Sequence, residues 1–181
     1  MKIFKKTLAS LLILSSLSTA GTFEQNGVKE GNNRVSASAR LRLPDGGDPT
    51  VQLLGQYGRF LTDDIEIMLD LFSNTAKYTP DKTIAIPNPS TSTETSYLVG
   101  VGANYYFLKT PTLTPYIGGT YYYSDFTADG DFAANGLKLN IGAHQFLTEN
   151  FAITPEAGSR FFDFTDYYES YFNVYLTYFF D

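Results

Sequence analysis

The chain holds 181 residues, with 13 Lys and Arg against 19 Asp and Glu, a single His, and neither Cys nor Trp. That length is one domain's worth, and the lack of Cys excludes a disulfide framework and a thiolate metal site. The formal charge of −6 also opposes a grip on nucleic-acid backbone, where Lys and Arg must replace counterions.

The first element is a leader. Lys2, Lys5 and Lys6 precede the apolar stretch Leu8–Leu14, and Ser18 and Ala20 supply the small residues of a cleavage site. Residues 1–20 therefore read as a secretory signal peptide. A seven-residue apolar stretch is too short to cross ~30 Å of hydrocarbon as a helix, which takes about 20 residues. Residues 21–32 read as a short N-terminal periplasmic segment and residues 33–181 as the folded body. Losing three lysines and no acids takes 13 basic residues to 10, so the exported chain carries −9.

From there on the hydrophobic period is two, the mark of strands with unlike faces. Val35, Ala37, Ala39, Leu41 and Leu43 alternate with Ser36, Ser38, Arg40 and Arg42. A second run spans Val51–Leu61 and carries Arg59 on its apolar side, which predicts a register irregularity or a head that snorkels. In the third, Ile65, Ile67, Leu69 and Leu71 oppose Glu66, Met68, Asp70 and Phe72. The fourth sets Tyr97, Val99, Val101, Ala103, Tyr105 and Phe107 against Gly100, Gly102 and Asn104. The fifth covers Pro115–Ser124. The sixth opposes Leu137, Leu139, Ile141 and Ala143 to Lys138, Asn140, Gly142 and His144. The seventh, Phe151–Phe162, contains Pro155, which predicts a bulge or a strand end. The last sets Phe172, Val174, Leu176, Tyr178 and Phe180 against Tyr171, Asn173, Tyr175 and Thr177.

Eight runs of roughly 9–12 residues match the 9–11 that a tilted membrane-crossing strand needs. Three connections share a motif: "FLTDD" (Phe60–Asp64), "FLKTP" (Phe107–Pro111) and "FLTEN" (Phe146–Asn150). They join runs two to three, four to five and six to seven. The alternate connections, near 44–49, 74–96, 125–136 and 163–170, are mostly longer. Short turns at one end and longer loops at the other predict an all-β, eight-stranded antiparallel up-and-down transmembrane barrel with its short turns in the periplasm. The Phe or Leu of each motif is expected in an interfacial girdle, with Thr, Asp, Glu or Asn making the turn. Cysteines at Ser90 and Asp129 should then be labelled on intact cells by an impermeant reagent, and cysteines at Asp63 and Glu149 should not. Labelling of Asp63 and Ser90 from one side would break the arrangement.

The sequence resembles the OmpA-like family of small eight-stranded outer-membrane barrels. The resemblance rests on "LTPYIGG" (Leu113–Gly119), "ITPEAG" (Ile153–Gly158) and the aromatic last strand "YFNVYLTYFF" (Tyr171–Phe180), and it covers nearly all of the exported chain. It implies export to the outer membrane of a Gram-negative-type bacterium. Its implied partners are outer-membrane lipids, lipopolysaccharide and the barrel-assembly machinery, which reads a terminal aromatic; here Asp181 follows Phe180. It also implies a monomer without a cofactor. No function of a periplasmic peptidoglycan-binding domain is carried over.

Chemistry is sparse in this sequence. Nucleophilic catalysis needs a base beside the nucleophile, and His144 is expected to point inward at the turn end as a structural residue. Asp125, Asp129 and Asp131 lack the bidentate Glu of an EF-hand loop and read as a solvated hairpin tip. No catalytic or metal site is expected. The informative polar set is Arg40, Arg42, Glu66, Asp70, Lys138, Glu156 and Arg160, all opposite the apolar face. Eight strands leave a lumen just wide enough for side chains to fill, so these charges should form a paired interior network, with Asp70 expected on Arg40 or Arg160. The resulting function is a non-catalytic structural or surface-interaction barrel. A narrow channel or transporter is the second reading, and a soluble periplasmic lipocalin-like binder the third.

Overall fold

Alternation gives every run one apolar and one polar face, and a sheet with such faces is satisfied by closing on itself, which leaves no free edge. The computed structural model, which describes residues 26–42, 50–78, 92–126, 132–162 and 167–181, is a closed antiparallel barrel in strand order β1 to β8. The strands are β1 (Asn33–Arg42), β2 (Thr50–Phe60), β3 (Ile65–Tyr78), β4 (Ser92–Tyr106), β5 (Leu113–Phe126), β6 (Phe132–Phe146), β7 (Phe151–Phe162) and β8 (Tyr167–Phe180).

Paired residues climb as they pass round the barrel. The path from Arg34 runs through Gly58, Met68, Gly102, Thr120, Lys138 and Arg160 to Glu169. The β8–β1 register, Asn33↔Phe180, then carries it to position 44, ten beyond its start (33 + 180 − 169 = 44). A shear of ten over eight strands tilts them by ~40°. Residues level with one another in the lumen are therefore not ladder partners.

The outer surface is aliphatic in the middle and aromatic at both ends. Val35, Leu53, Leu69, Val101, Ile117, Ile141 and Leu176 are exposed between an upper set, Tyr97, Tyr121 and Tyr123, and a lower set, Tyr57, Tyr105, Phe107 and Tyr178. From Tyr97 in β4 to Phe107, just past its end, is ten residues, about 25 Å of height once tilt is allowed for.

Two expectations need correction, and a third resolves between its alternatives. The strands outrun the apolar pattern: β3 continues to Tyr78 and β4 begins at Ser92, because Ser73, Asn74 and Thr75 are polar on both faces and hide the alternation. Pro155 makes neither a bulge nor an end. The β6–β7 register is the same on both sides of it, from Gly142↔Glu156 to Gln145↔Ile153, and β7–β8 pairing passes through Pro155↔Val174 unbroken. A residue without an N–H is accommodated at a local gap in one ladder. Arg59 disturbs no register either; its guanidinium reaches down to Asn33 Oδ1 at 3.2 Å.

The shared turn motif works through its threonine. Thr62 Oγ1 accepts from the Ile65 amide at 3.1 Å, Thr110 Oγ1 from Leu113 at 2.9 Å and Thr148 Oγ1 from Phe151 at 3.1 Å. Its aromatic is not a girdle residue in two of the three copies. Phe60 and Phe146 are buried inside, while Leu61, Phe107, Leu108 and Leu147 face out. Of the labelling positions, Asp63 and Glu149 are exposed in these turns; Ser90 and Asp129 lie outside the described residues, as do the signal peptide and Asp131.

Candidate functional site in the barrel lumen

At the turn end the lumen has a floor. Phe60, Tyr106, Phe146 and Phe179 are the last inward residues of β2, β4, β6 and β8, and all are buried. Each donates its amide to the residue just before the preceding strand: Phe60 to Asn32 O (2.9 Å), Tyr106 to Asp64 O (2.9 Å), Phe146 to Thr112 O (2.8 Å) and Phe179 to Asn150 O (2.8 Å). Phe60 stacks on Phe179 at 6.1 Å and tilts against Tyr106 at 5.3 Å; Phe146 meets Phe179 at 5.0 Å. Residues 26–32 cross beneath, with Val28 buried in the same cluster and Asn26 Nδ2 bonded to Thr110 O at 2.7 Å. These bulky rings pack the bore at its turn end.

Above the floor lies a hydrogen-bonded ring anchored on an ion pair. Arg34 grips Glu66 bidentately, Nε to Oε1 at 2.6 Å and Nη2 to Oε2 at 3.2 Å, with both side chains wholly buried. Asn104 Nδ2 and Tyr106 O–H also donate to Glu66 Oε2, each at 2.8 Å. Four donors satisfy the carboxylate, which is the condition for burying it without a prohibitive desolvation cost. Gly58 makes room: the Glu66 carboxyl occupies the space a Cβ on that residue would need.

The ring closes through hydroxyls with one sense of donation. Arg34 Nη1 donates to Ser36 Oγ (2.7 Å), and the chain continues through Thr177 (2.9 Å), Thr154 (2.8 Å) and His144 Nδ1 (2.7 Å). His144 Nε2 lies 3.1 Å from Tyr106 Oη, whose proton is committed to Glu66. Nε2 is then the donor to Tyr106, and a neutral imidazole in this place accepts at Nδ1. His144 packs against Tyr116 and Phe179 rings, both at 5.1 Å. Among its described neighbours no serine stands where a nucleophile would, so the arrangement positions His144 as a link in the ring.

A second charged layer follows. Lys138 bridges Asp70 and Glu156, lying 3.5 Å from Glu156 Oε1 and in direct contact with Asp70 Oδ2. Tyr122 O–H donates to Asp70 at 2.7 Å; Tyr116 (3.0 Å), Tyr171 (2.9 Å) and Asn140 (3.1 Å) donate to Glu156. The Tyr116 ring fits because Gly142 has no side chain: a Cβ there would lie 2.5 Å from it. Higher still, the Arg160 guanidinium sits 4.8 Å from the Phe72 ring centre and 4.7 Å from that of Tyr171, with Glu169 at 3.7 Å. Arg40 bonds Asn173.

Of the seven residues singled out in the sequence, Glu66, Asp70, Lys138, Glu156 and Arg160 are buried in the lumen and Arg40 is partly buried. The side chain of Arg42 lies outside the described residues. Asp70 meets Lys138 rather than Arg40 or Arg160. Sequence reasoning missed Arg34, although it keeps parity with Ser36, Ser38 and Arg40 one position before the run began. The described lumen holds four cations (Arg34, Arg40, Lys138, Arg160) and four anions (Glu66, Asp70, Glu156, Glu169), so it is neutral in sum. Among the described residues no cluster of His, Cys, Asp and Glu could hold a metal ion.

Outer apolar band, closed eight-stranded sheet and polar filled lumen define the class: an eight-stranded antiparallel β-barrel of the inside-out kind. The chain is similar in structure to the N-terminal β-barrel domain of OprF from Pseudomonas aeruginosa, with a TM-score of 0.56 and 19% identity over 83% of this chain and 98% of that one. It also matches Ail, the attachment invasion locus protein of Yersinia pestis, with a TM-score of 0.46 and 14% identity over 83% and 99%. Both are eight-stranded outer-membrane barrels. No protein-family model and no curated protein sequence matches the chain.

Proposed function

We propose that the protein is an integral outer-membrane barrel with a structural or surface-interaction role, acting without catalysis and without a permanent pore. The observation that carries this reading is the inversion of polarity. An aliphatic band about 25 Å tall between two aromatic belts faces out, while paired charges and a floor of four aromatics fill the inside. The likeness of fold to the OprF barrel supports it. A lipocalin-like binder needs an apolar lumen, and this one is lined by Arg34, Glu66, Asp70, Lys138 and Glu156. Its partners on this reading are lipopolysaccharide, phospholipid and the assembly machinery that inserts it, and it works as a monomer.

A channel is the second reading, favoured by one observation. Gln52 Oε1, Gln56 Nε2, Thr120 Oγ1, Asn140 Oδ1 and Arg160 Nε are buried without a protein partner, which suits water in the lumen from Gln56, beside Arg34, up to Arg160. Against it, the four rings of the floor pack across the turn end below Arg34.

Membrane fractionation tests the location. The exported protein should resist carbonate extraction with the outer membrane and migrate differently on a gel before and after boiling. Recovery in the soluble periplasm without a heat-dependent shift would overturn the reading.

A further inference from the structure

Arg59 is an anomaly on the outer face. Every other described outward side chain in the eight strands is uncharged. Arg59 lies at the turn-end margin of the band, beside Tyr57, and both side chains converge on Asn33 Oδ1, at 3.2 and 2.8 Å. That contact orients the guanidinium and uses one of its five donors; no carboxylate lies within ion-pair distance of it among the described residues. Directly above it a shallow apolar groove of about 270 Å³ is walled by Tyr57, Ile67, Leu69 and Val101. A second groove of about 510 Å³ continues the track between Leu53, Leu71, Tyr97 and Val99. Gly55 connects the two, because it faces outward between Leu53 and Tyr57 and offers no side chain to block the way.

We propose that this track is a binding site for one phospholipid of the periplasmic leaflet, its phosphate on Arg59 and one acyl chain lying along Gly55. The inference rests on the outer-membrane reading above. A cation held at the interface beneath an apolar channel matches both halves of a phospholipid. Charge complementarity selects the phosphate, since guanidinium binds phosphate through paired, charge-assisted hydrogen bonds. The groove selects the chain, since dispersion contacts on three sides exceed those an acyl chain makes on a smooth wall. A protein binding lipid only as a fluid annulus has no need of either feature.

The test is native mass spectrometry of the refolded barrel released from nanodiscs of dioleoyl phosphatidylglycerol, or of the same lipid mixed with dioleoylglycerol. The wild type should keep one phosphatidylglycerol in preference to the headgroup-free lipid. Arg59→Gln should weaken retention by about tenfold or more, the loss of one charge-assisted pair. Arg59→Lys should fall between. Gly55→Leu, which leaves Arg59 in place, should weaken retention by blocking the track. Equal retention in wild type and Arg59→Gln would reduce the site to an adventitious annulus and overturn it. Failure of the wild type to insert into nanodiscs would instead overturn the membrane reading itself.

Discussion

Glu66→Ala is expected to destabilise the barrel by about 3–5 kcal/mol, and Arg34→Ala by a similar amount, because each leaves its partner charged, buried and unpaired. The carboxylate accepts from Arg34 twice, from Asn104 and from Tyr106, so its loss also strands two further donors. The two deletions should not add. Once one charge is gone the other is a liability, and the double replacement Arg34→Ala with Glu66→Ala should lose less than the sum of the singles. Urea unfolding in lipid vesicles measures all four corners of that cycle. Additive losses, each no larger than the ~0–1 kcal/mol of a surface pair, would mean that water reaches the pair.

Lys138→Met is the second large effect, expected at about 3–5 kcal/mol. It removes the cation that stands between Asp70 and Glu156 and leaves two carboxylates facing each other in a confined space. Adding Asp70→Asn should recover part of the loss, since one carboxylate with its tyrosine donors is less costly than two. Adding Arg160→Gln should deepen it, because Arg160 is the next cation up the lumen. A Lys138→Met protein as stable as the wild type would show that the layer is solvated. Asp70→Asn deepening the loss instead of relieving it would show that Asp70 is held by groups other than Lys138.

How much of this was legible follows from what alternation can and cannot encode. Where the outer face is uniformly apolar, parity alone sorted β3, β4, β6 and β8 residue by residue, and Glu66, Asp70 and Lys138 came out on the inside. Beyond the apolar band both faces are polar, so the upper ends of β3 and β4 carried no signal. Aromatic residues misled, because identity does not tell a belt from a core. Tyr106, Tyr116 and Tyr122 are inward and buried, and in two motif copies the Phe builds the floor while the Leu faces out. The partner of Asp70 was beyond reach for a different reason. Height in the lumen depends on the shear, a property of the closed sheet that no single strand displays. Arg40 and Arg160 reach similar distances along their own strands, yet the climb of paired rows brings Lys138 to Asp70 instead. The hydroxyl ring through Ser36, Thr154 and Thr177 left no mark in the sequence beyond three small polar residues at inward positions.

Conductance across a planar bilayer tests most directly whether the lumen is sealed. With wild-type barrels inserted, the current should stay at the bare-membrane baseline, since an ion would have to pass both the Arg34–Glu66 ring and the floor of Phe60, Tyr106, Phe146 and Phe179. A floor opened by Phe60→Ala with Phe179→Ala should still be silent as long as the ring above it holds. Steady ohmic steps from the wild type would contradict a sealed interior and move the channel reading ahead of the structural one.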